Sequence, residues 1–222
     1  MGNLIIKGKG GAGNKLILQD QAGGAVLTTA DSGATIANAS LTTPTIASMA
    51  NCTFPAGHII QTIVSHKTDT TDINGASSTG WFDVSSLSAA ITPASSSNKI
   101  LVVVQMNVGT VHYSQGIMMK VLRNTGSGFG EVDYRGNTQD SRSRVIGGSE
   151  EYGGADNDFK YTLFPIPAQF LDSPSTTNAT TYKVQINLSH ASYAFVNRTG
   201  LDGNSAAIPR GASSITLQEI AQ

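Results

Sequence analysis

The sequence predicts an all-β protein in which a short N-terminal β-rich arm or shaft precedes an antiparallel β-sandwich. Three observations predict this class: apolar and polar residues alternate in short runs, turn-forming residues separate the runs, and no run has convincing helical spacing. The chain has 222 residues, of which 39% are hydrophobic and 24 are glycine. This length suits one sandwich plus an extension.

The clearest strand prediction comes from residues 170–188, FLDSPSTTNATTYKVQINL. Asp172, Ser173 and Pro174 predict a turn, because their side chains mimic backbone turns or fix φ. After this turn, apolar residues and one threonine recur at every second position: Thr180, Tyr182, Val184, Ile186 and Leu188. The segment is therefore predicted to be a turn that leads into a half-buried strand.

The chain divides into two predicted regions, residues 1–53 and residues 54–222. The first contains short strand-like runs at 4–7, 15–18 and 25–28, separated by glycines. Such strands cannot form a core alone, so their apolar residues must bury against another copy or a larger particle. We therefore predict an attachment arm whose anchoring residues are Leu4, Ile5, Ile6, Leu16, Leu18, Val26 and Leu27.

Longer apolar runs begin after residue 54 and predict the strands of the sandwich. They lie at 58–66, 99–108, 116–124, 159–171 and 213–221. Their spacing, with turn residues between them, is typical of a β-sandwich.

Charge and cysteine content exclude several classes of function. Charged residues make up 13% of the chain, against about 25% in an ordinary globular protein. The net charge of −1 gives no electrostatic basis for nucleic-acid binding, and no apolar stretch is long enough for membrane insertion. Cys52 is the single cysteine and no zinc spacing exists, so we expect no metal and no cofactor.

Residues 125–158 form the longest predicted loop and are the candidate recognition site. The loop contains eight glycines, three aromatic residues and three arginines. Aromatic and arginine side chains are the usual anchors of binding surfaces, and arginine donates hydrogen bonds to acidic or hydroxylated sugars. The predicted receptor-binding residues are Phe129, Tyr134, Arg135, Arg142, Arg144 and Tyr152. The alternative is that this loop packs against a neighbouring subunit or is solvated.

Catalysis is not expected from this sequence. Hydrolysis of a polysaccharide needs two carboxylates at a fixed separation. The acidic residues of the loop are mostly in glycine-rich sequence, where solvated charge is the ordinary state: Glu131, Asp133, Asp140, Glu150, Glu151, Asp156 and Asp158. The four histidines, His58, His66, His112 and His190, have no metal-ligand spacing and are expected to be packing residues. We therefore predict no catalytic residues and no enzyme activity.

Four segments resemble a known family when they are taken together. They are FPAGHIIQT at 54–62, SAAITPASSSNKILV at 88–102, FLDSPSTTNATTYKVQ at 170–185 and ASSITLQEIA at 212–221. In this order they are similar to a jelly-roll-like β-sandwich domain of virion surface proteins of tailed bacteriophages. The resemblance covers roughly residues 54–222, whereas residues 1–53 look like the glycine-punctuated segments that begin many phage fibre proteins.

The resemblance implies a homotrimeric tail fibre or head fibre that is made in the host cytoplasm and assembled into the virion. It implies two kinds of partner besides the copies themselves: capsid or tail proteins bound through the N-terminal arm, and a host surface glycan or protein. It implies no catalytic residue. The alternatives are a capsid decoration protein that stabilises the head shell and a spike that degrades glycans.

Overall fold

The structure is a computed structural model of the whole chain. It describes residues 17–19, 22, 25–30, 33–36, 53–74, 80–111, 116–149, 160–188 and 193–222. The chain forms two compact units, Met1–Cys52 and Thr53–Gln222.

The first unit contains a three-stranded antiparallel sheet. Its strands are β1 (Ile17–Gln19), β2 (Ala25–Ala30) and β3 (Gly33–Ile36), paired in chain order. The anchoring candidates Leu18, Val26 and Leu27 lie on β1 and β2. Leu4, Ile5, Ile6 and Leu16 lie outside the described residues, as does the strand predicted at 4–7. The attachment role of this region stays a prediction.

The second unit contains eleven strands among its described residues. They are β4 (Ile59–Lys67), β5 (Thr71–Asn74), β6 (Trp81–Ile91), β7 (Lys99–Thr110), β8 (Ile117–Asn124), β9 (Gly130–Glu131), β10 (Gly147–Gly148), β11 (Phe164–Asp172), β12 (Thr180–Leu188), β13 (Tyr193–Val196) and β14 (Ser213–Ile220). The described residues contain no α-helix, so none of them provides a helix that could span a membrane.

These strands form two antiparallel sheets, and the all-β prediction is confirmed. The first sheet has the order β4-β14-β7-β13-β5, with β11 on the other edge of β7. The second has the order β10-β8-β12-β6, with β9 also paired to β8. The pairs β4·β14, β6·β12, β7·β11 and β8·β9 are nested, as if one long hairpin were rolled up. This is the winding of a jelly roll.

The core lies between the two sheets and follows the alternation read from the sequence. On β12, the residues predicted to face the core are at most 1% exposed, which confirms that prediction: Thr180, Tyr182, Val184, Ile186 and Leu188. On β7, the matching inward residues are equally buried: Ile100, Val102, Val104, Met106 and Val108. Each fully buried aliphatic side chain contributes about 1.5–3 kcal/mol.

A buried carboxylate links the two sheets at one end of the sandwich. Asp172 ends β11, and its oxygens accept hydrogen bonds from Arg123 Nη1 (2.8 Å) and from the Tyr182 hydroxyl (2.7 Å). Burial, together with the Asp172 carboxylate, raises the pKa of the Tyr182 phenol, so it remains a donor. The sequence predicted that Asp172 would shape a turn. Instead its side chain is buried between the sheets.

A second buried carboxylate holds the β6–β7 loop at the same end. Glu219 on β14 is fully buried and accepts hydrogen bonds from Gln61 Nε2, the Ala94 backbone N–H and Asn98 Nδ2 at 2.6–2.7 Å. Three N–H donors thus satisfy the hydrogen-bonding capacity of this buried side chain. Gln61, Ala94, Asn98, Asp172 and Glu219 all lie in the four segments on which the resemblance was based. These segments therefore meet at this end of the sandwich.

Candidate functional site

The outer face of the second sheet carries a cluster of aromatic and charged side chains. Trp81 and Asp83 come from β6, Lys183 and Gln185 from β12, and Lys120 from β8. Gln185 lies directly opposite both Asp83 and Lys120 in the sheet register. The segment after β8 adds Phe129 and Glu131. We call these seven residues together with Arg135 the charged face.

One line of contacts crosses the charged face from Trp81. The Lys120 ammonium lies 4.1 Å from the centre of the Trp81 ring and 2.9 Å from Glu131 Oε1. Glu131 also forms an ion pair with Arg135, whose Nε donates to the Val132 carbonyl oxygen. An ammonium over an indole face is attracted by the quadrupole of the ring. These contacts fix the position of the Glu131 carboxylate.

A second line of contacts runs from Phe129. The Lys183 ammonium lies 4.2 Å from the centre of the Phe129 ring and 2.8 Å from Asp83 Oδ2. Gln185 Nε2 donates to Asp83 Oδ1 at 2.7 Å. Both oxygens of Asp83 are thus oriented by side chains on the neighbouring strand.

The carboxylates of the charged face are open to solvent, whereas its cations are largely covered. The side chains of Asp83 and Glu131 are 55% and 44% exposed. Those of Lys120, Arg135 and Lys183 are 9%, 11% and 21% exposed. The Lys183 hydrogen bond lowers the pKa of Asp83, and the Lys120 hydrogen bond lowers the pKa of Glu131. A ligand approaching this face therefore meets ionised carboxylates first.

The described part of the predicted recognition loop packs against its own sandwich. Val132 is 2% exposed and belongs to the core. The Tyr134 ring stacks on Phe170 at 5.3 Å between ring centres, while 43% of Tyr134 stays exposed. A Cβ on Gly147 would lie 2.9 Å from the Pro167 carbonyl oxygen, so β10 closely approaches β11. This segment closes one side of the sandwich.

The structure assigns different contacts to the five predicted receptor-binding residues that it describes. Phe129 and Arg135 belong to the charged face, and Phe129 is 43% exposed. Arg144 Nε donates to the Gly136 carbonyl oxygen at 2.7 Å, which uses this side chain within the loop. Arg142 is exposed, and Tyr152 lies outside the described residues. Recognition by these residues stays a prediction.

The described residues contain no group of three or more His, Cys, Asp or Glu side chains that could hold a metal. His58 stacks on Phe54 with 4.7 Å between ring centres, and both His58 and His66 are exposed. His112 and His190 are outside the described residues, as are Glu150, Glu151, Asp156 and Asp158.

Four neighbouring strands of the first sheet, β4, β14, β7 and β11, present an outer surface of a different character. In the same sheet, β13 and β5 carry Phe195 and Asp72, which both contact Arg198. The outward residues of the four strands follow from their register. They are Ile59, Thr62, Val64 and His66; Ser214, Thr216, Gln218 and Ile220; Lys99, Leu101, Val103, Gln105 and Asn107; and Pro165, Pro167, Gln169 and Leu171. Within this set, Lys99 carries the one formal charge at neutral pH. We call it the uncharged face. Ile59 and Val64 are each 47% exposed, and Leu171 is 38% exposed.

Sequence reasoning missed most of the charged face. Trp81, Asp83, Lys120, Lys183 and Gln185 lie on three strands that are far apart in the chain. A signal was available, because Trp81 is the only tryptophan and these strands carry charges in a chain that has few. The pairing that brings them together could not be read from spacing.

Comparisons with known proteins leave the family open. No protein-family model matches the chain, and no curated protein matches it in sequence. Among solved structures, it is similar to the structure of infectious bursal disease virus Gt strain, with 11% identity over 75% of this chain and 39% of that chain and a TM-score of 0.39. The Gx strain gives 12% identity over 74% and 38%, with a TM-score of 0.34. The chain thus spans well under two thirds of these proteins, and its function has to be inferred from its own residues.

Proposed function

We propose that the chain is a structural, non-enzymatic component of a tailed-phage virion, a homotrimeric fibre or appendage of the tail or head that contacts the host surface. Residues 1–53 would attach it to capsid or tail proteins, and residues 54–222 would form the outward head. The observation that carries the proposal is the uncharged face, a broad sheet surface with exposed apolar side chains.

The chemistry of the uncharged face supports contact with another protein surface. Exposed apolar patches in soluble proteins mark interaction sites. Ile59 and Val64 lie on the edge strand β4, and Leu171 lies on β11 at the opposite side of the same face. Covering this face desolvates one formal charge, on Lys99, and its hydroxyl and amide groups can form hydrogen bonds across the contact. Another copy of the chain is the partner that is always present at equal concentration during assembly.

The path of the chain supports attachment through the N-terminal region. Thr53 precedes β4, and β4 begins beside the end of β14, where Ala221 N donates to the His58 carbonyl oxygen. The loops at 92–98 and 173–179 lie at this same end. The first described residue of the sandwich unit, Thr53, is therefore at this end, where the chain continues from the proposed attachment region.

The electrostatics of the charged face support binding over hydrolysis. A general acid that protonates a glycosidic oxygen needs a raised pKa. Asp83 and Glu131 both have lowered pKa values, because each accepts a hydrogen bond from a lysine. This favours a non-enzymatic appendage over a glycan-degrading spike.

Sedimentation equilibrium of the full chain tests the oligomer, and quantitative mass spectrometry of purified particles tests the location. We expect a trimer at micromolar concentration and a copy number of tens or fewer per particle. A folded monomer would contradict the proposal. A copy number in the hundreds would favour the alternative, a decoration protein that clamps the head shell through the uncharged face.

Deletion of residues 2–50 tests the attachment arm. We expect the shortened chain to stay soluble and to be absent from purified particles, because the anchoring residues are removed. Normal incorporation of the shortened chain would contradict attachment through this region.

A further inference from the structure

We infer that the charged face is a binding site for a neutral, hydroxyl-rich glycan, with Trp81, Asp83, Phe129, Glu131, Lys183 and Gln185 as its contact residues. This inference names the ligand of the host contact and rests on the proposed function for that biological setting.

The arrangement of the charged face matches what a sugar ring requires. A sugar presents hydroxyl groups around its edge and apolar C–H groups on its faces. Carboxylates and amides bind the hydroxyls, and aromatic rings pack against the C–H faces. The charged face offers two oriented carboxylates, the Gln185 amide and two aromatic rings on one continuous surface.

Relative exposure decides between a neutral and an acidic ligand. The accessible charged atoms belong to Asp83 and Glu131, at 55% and 44% exposure, while the lysines beneath them are at 21% and 9%. A carboxylated sugar would therefore meet like charges before it reached a cation. Neutral hydroxyl groups donate to these carboxylates without that repulsion.

Rigidity supports a binding role for these ion pairs over a purely stabilising one. Exposed ion pairs contribute little to folding, yet here two lysines each join an aromatic ring to a carboxylate across neighbouring elements. Four of the contact residues lie on long strands, which hold their groups more precisely than loops do: Trp81, Asp83, Lys183 and Gln185. Preorganised groups lose less freedom when a ligand binds.

Affinity electrophoresis of the purified full chain tests the inference. Native gels would contain one neutral polysaccharide each, namely dextran, mannan, galactan or arabinogalactan, and a parallel gel would contain anionic polygalacturonate. We expect at least one neutral polysaccharide to slow the chain and polygalacturonate to have no effect. No retardation by any neutral polysaccharide, or retardation by polygalacturonate alone, would overturn the inference.

Matched variants locate the binding on the face. Trp81→Ala, Phe129→Ala and Asp83→Asn should each weaken retardation at least about tenfold. Tyr161→Ala removes an aromatic side chain of similar exposure (45%) elsewhere on the sandwich, and Asp202→Asn changes a carboxylate (42% exposed) paired with Arg210. Both controls should bind as the unchanged chain does. Because Trp81→Ala also removes a partner of Lys120, Phe129→Ala and Asp83→Asn decide the result if that variant does not fold.

Binding and assembly are measured separately in this design. Suppose that the chain sediments as a monomer and that Phe129→Ala and Asp83→Asn abolish its retardation. This result would support the glycan site and refute the trimeric appendage. Full retardation in both Phe129→Ala and Asp83→Asn would overturn the glycan site, whatever the oligomeric state.

Discussion

The uncharged face and the charged face are both built on alternating strands but have opposite surface chemistry. On β4, β14, β7 and β11 of the first sheet, outward positions carry Ile59, Val64, Leu101 and Val103 among hydroxyl and amide side chains. On the second, they carry aromatic rings joined to lysines and carboxylates. Inward residues of both sheets contribute to one buried core. The fold therefore does not constrain which residues occupy the outward positions. Those residues can be suited to what each face contacts.

Energetics explain why the two chemistries are kept apart. When an uncharged sheet surface is covered, little free energy is spent on desolvating charged groups. Such a surface therefore suits a permanent protein contact. Ion pairs would have to be desolvated at such a contact, and that cost can exceed the attraction. Ion pairs that hold each other in place suit a face that remains solvated until it binds a ligand.

The largest expected effect comes from placing a charge in the uncharged face. Val103→Lys puts an ammonium between Thr216 and Gln169, in the middle of that face. We expect subunit affinity to fall by at least about 100-fold, because an unpaired charge would be buried at the contact. Sedimentation equilibrium measures this loss. Ala90→Lys, at an exposed outward position of the second sheet, should assemble normally. Equal assembly of both variants would contradict the assignment of the uncharged face as the subunit contact.

A smaller effect, which involves both sheets, is expected from Asp172→Asn. Asp172 lies on the first sheet, whereas Arg123 and Tyr182 lie on the second. Loss of the charge should destabilise the sandwich by about 2–3 kcal/mol, a value reduced because Arg123 is 29% exposed. Thermal unfolding should shift downward by about 4–12 °C. A shift of under about 1 °C would show that this buried group does not hold the sheets together.

The charged face should also make stability depend on pH. Glu131 has a lowered pKa in the folded chain because Lys120 donates a hydrogen bond to it. Its contribution is therefore complete above the ordinary glutamate pKa of 4.5 and is lost as pH falls through the folded value. We expect Glu131→Gln to show a weaker loss of stability between about pH 5 and pH 3.

Urea unfolding at a series of pH values measures this difference. Gln169→Ala, on the uncharged face, should keep the pH dependence of the unchanged chain, because it alters no titrating group. Identical pH dependence in Glu131→Gln and the unchanged chain would contradict the assignment.

The smallest expected effect on stability comes from Lys183→Met. Its partner Asp83 is 55% exposed, so this ion pair should contribute at most about 1 kcal/mol. The urea midpoint should barely change. A loss above about 2 kcal/mol would mean that the charged face stabilises the fold, which would weaken its assignment as a binding surface.

Alternation along single strands could be read from the sequence, because neighbouring residues on a strand point to opposite sides. Thr180 to Leu188 shows this, and the predicted inward residues are the buried ones. The end of β11 was harder. Aspartate is a common turn residue, so the sequence around Asp172 predicted a turn. Its burial depends on hydrogen bonds from Arg123 and Tyr182, which lie on the other sheet.

The sequence by itself determined the fold class, the strand-rich organisation after residue 54 and the scarcity of charge, because composition and a period of two residues are local properties. It also placed Phe129 and Arg135 among the candidate site residues. Only the tertiary structure decided that Lys120 lies over Trp81 and that Lys183 joins Phe129 to Asp83. The physical reason is that these contacts depend on strand order and register. Both are set by how the nested hairpin closes around its core, which no local pattern records.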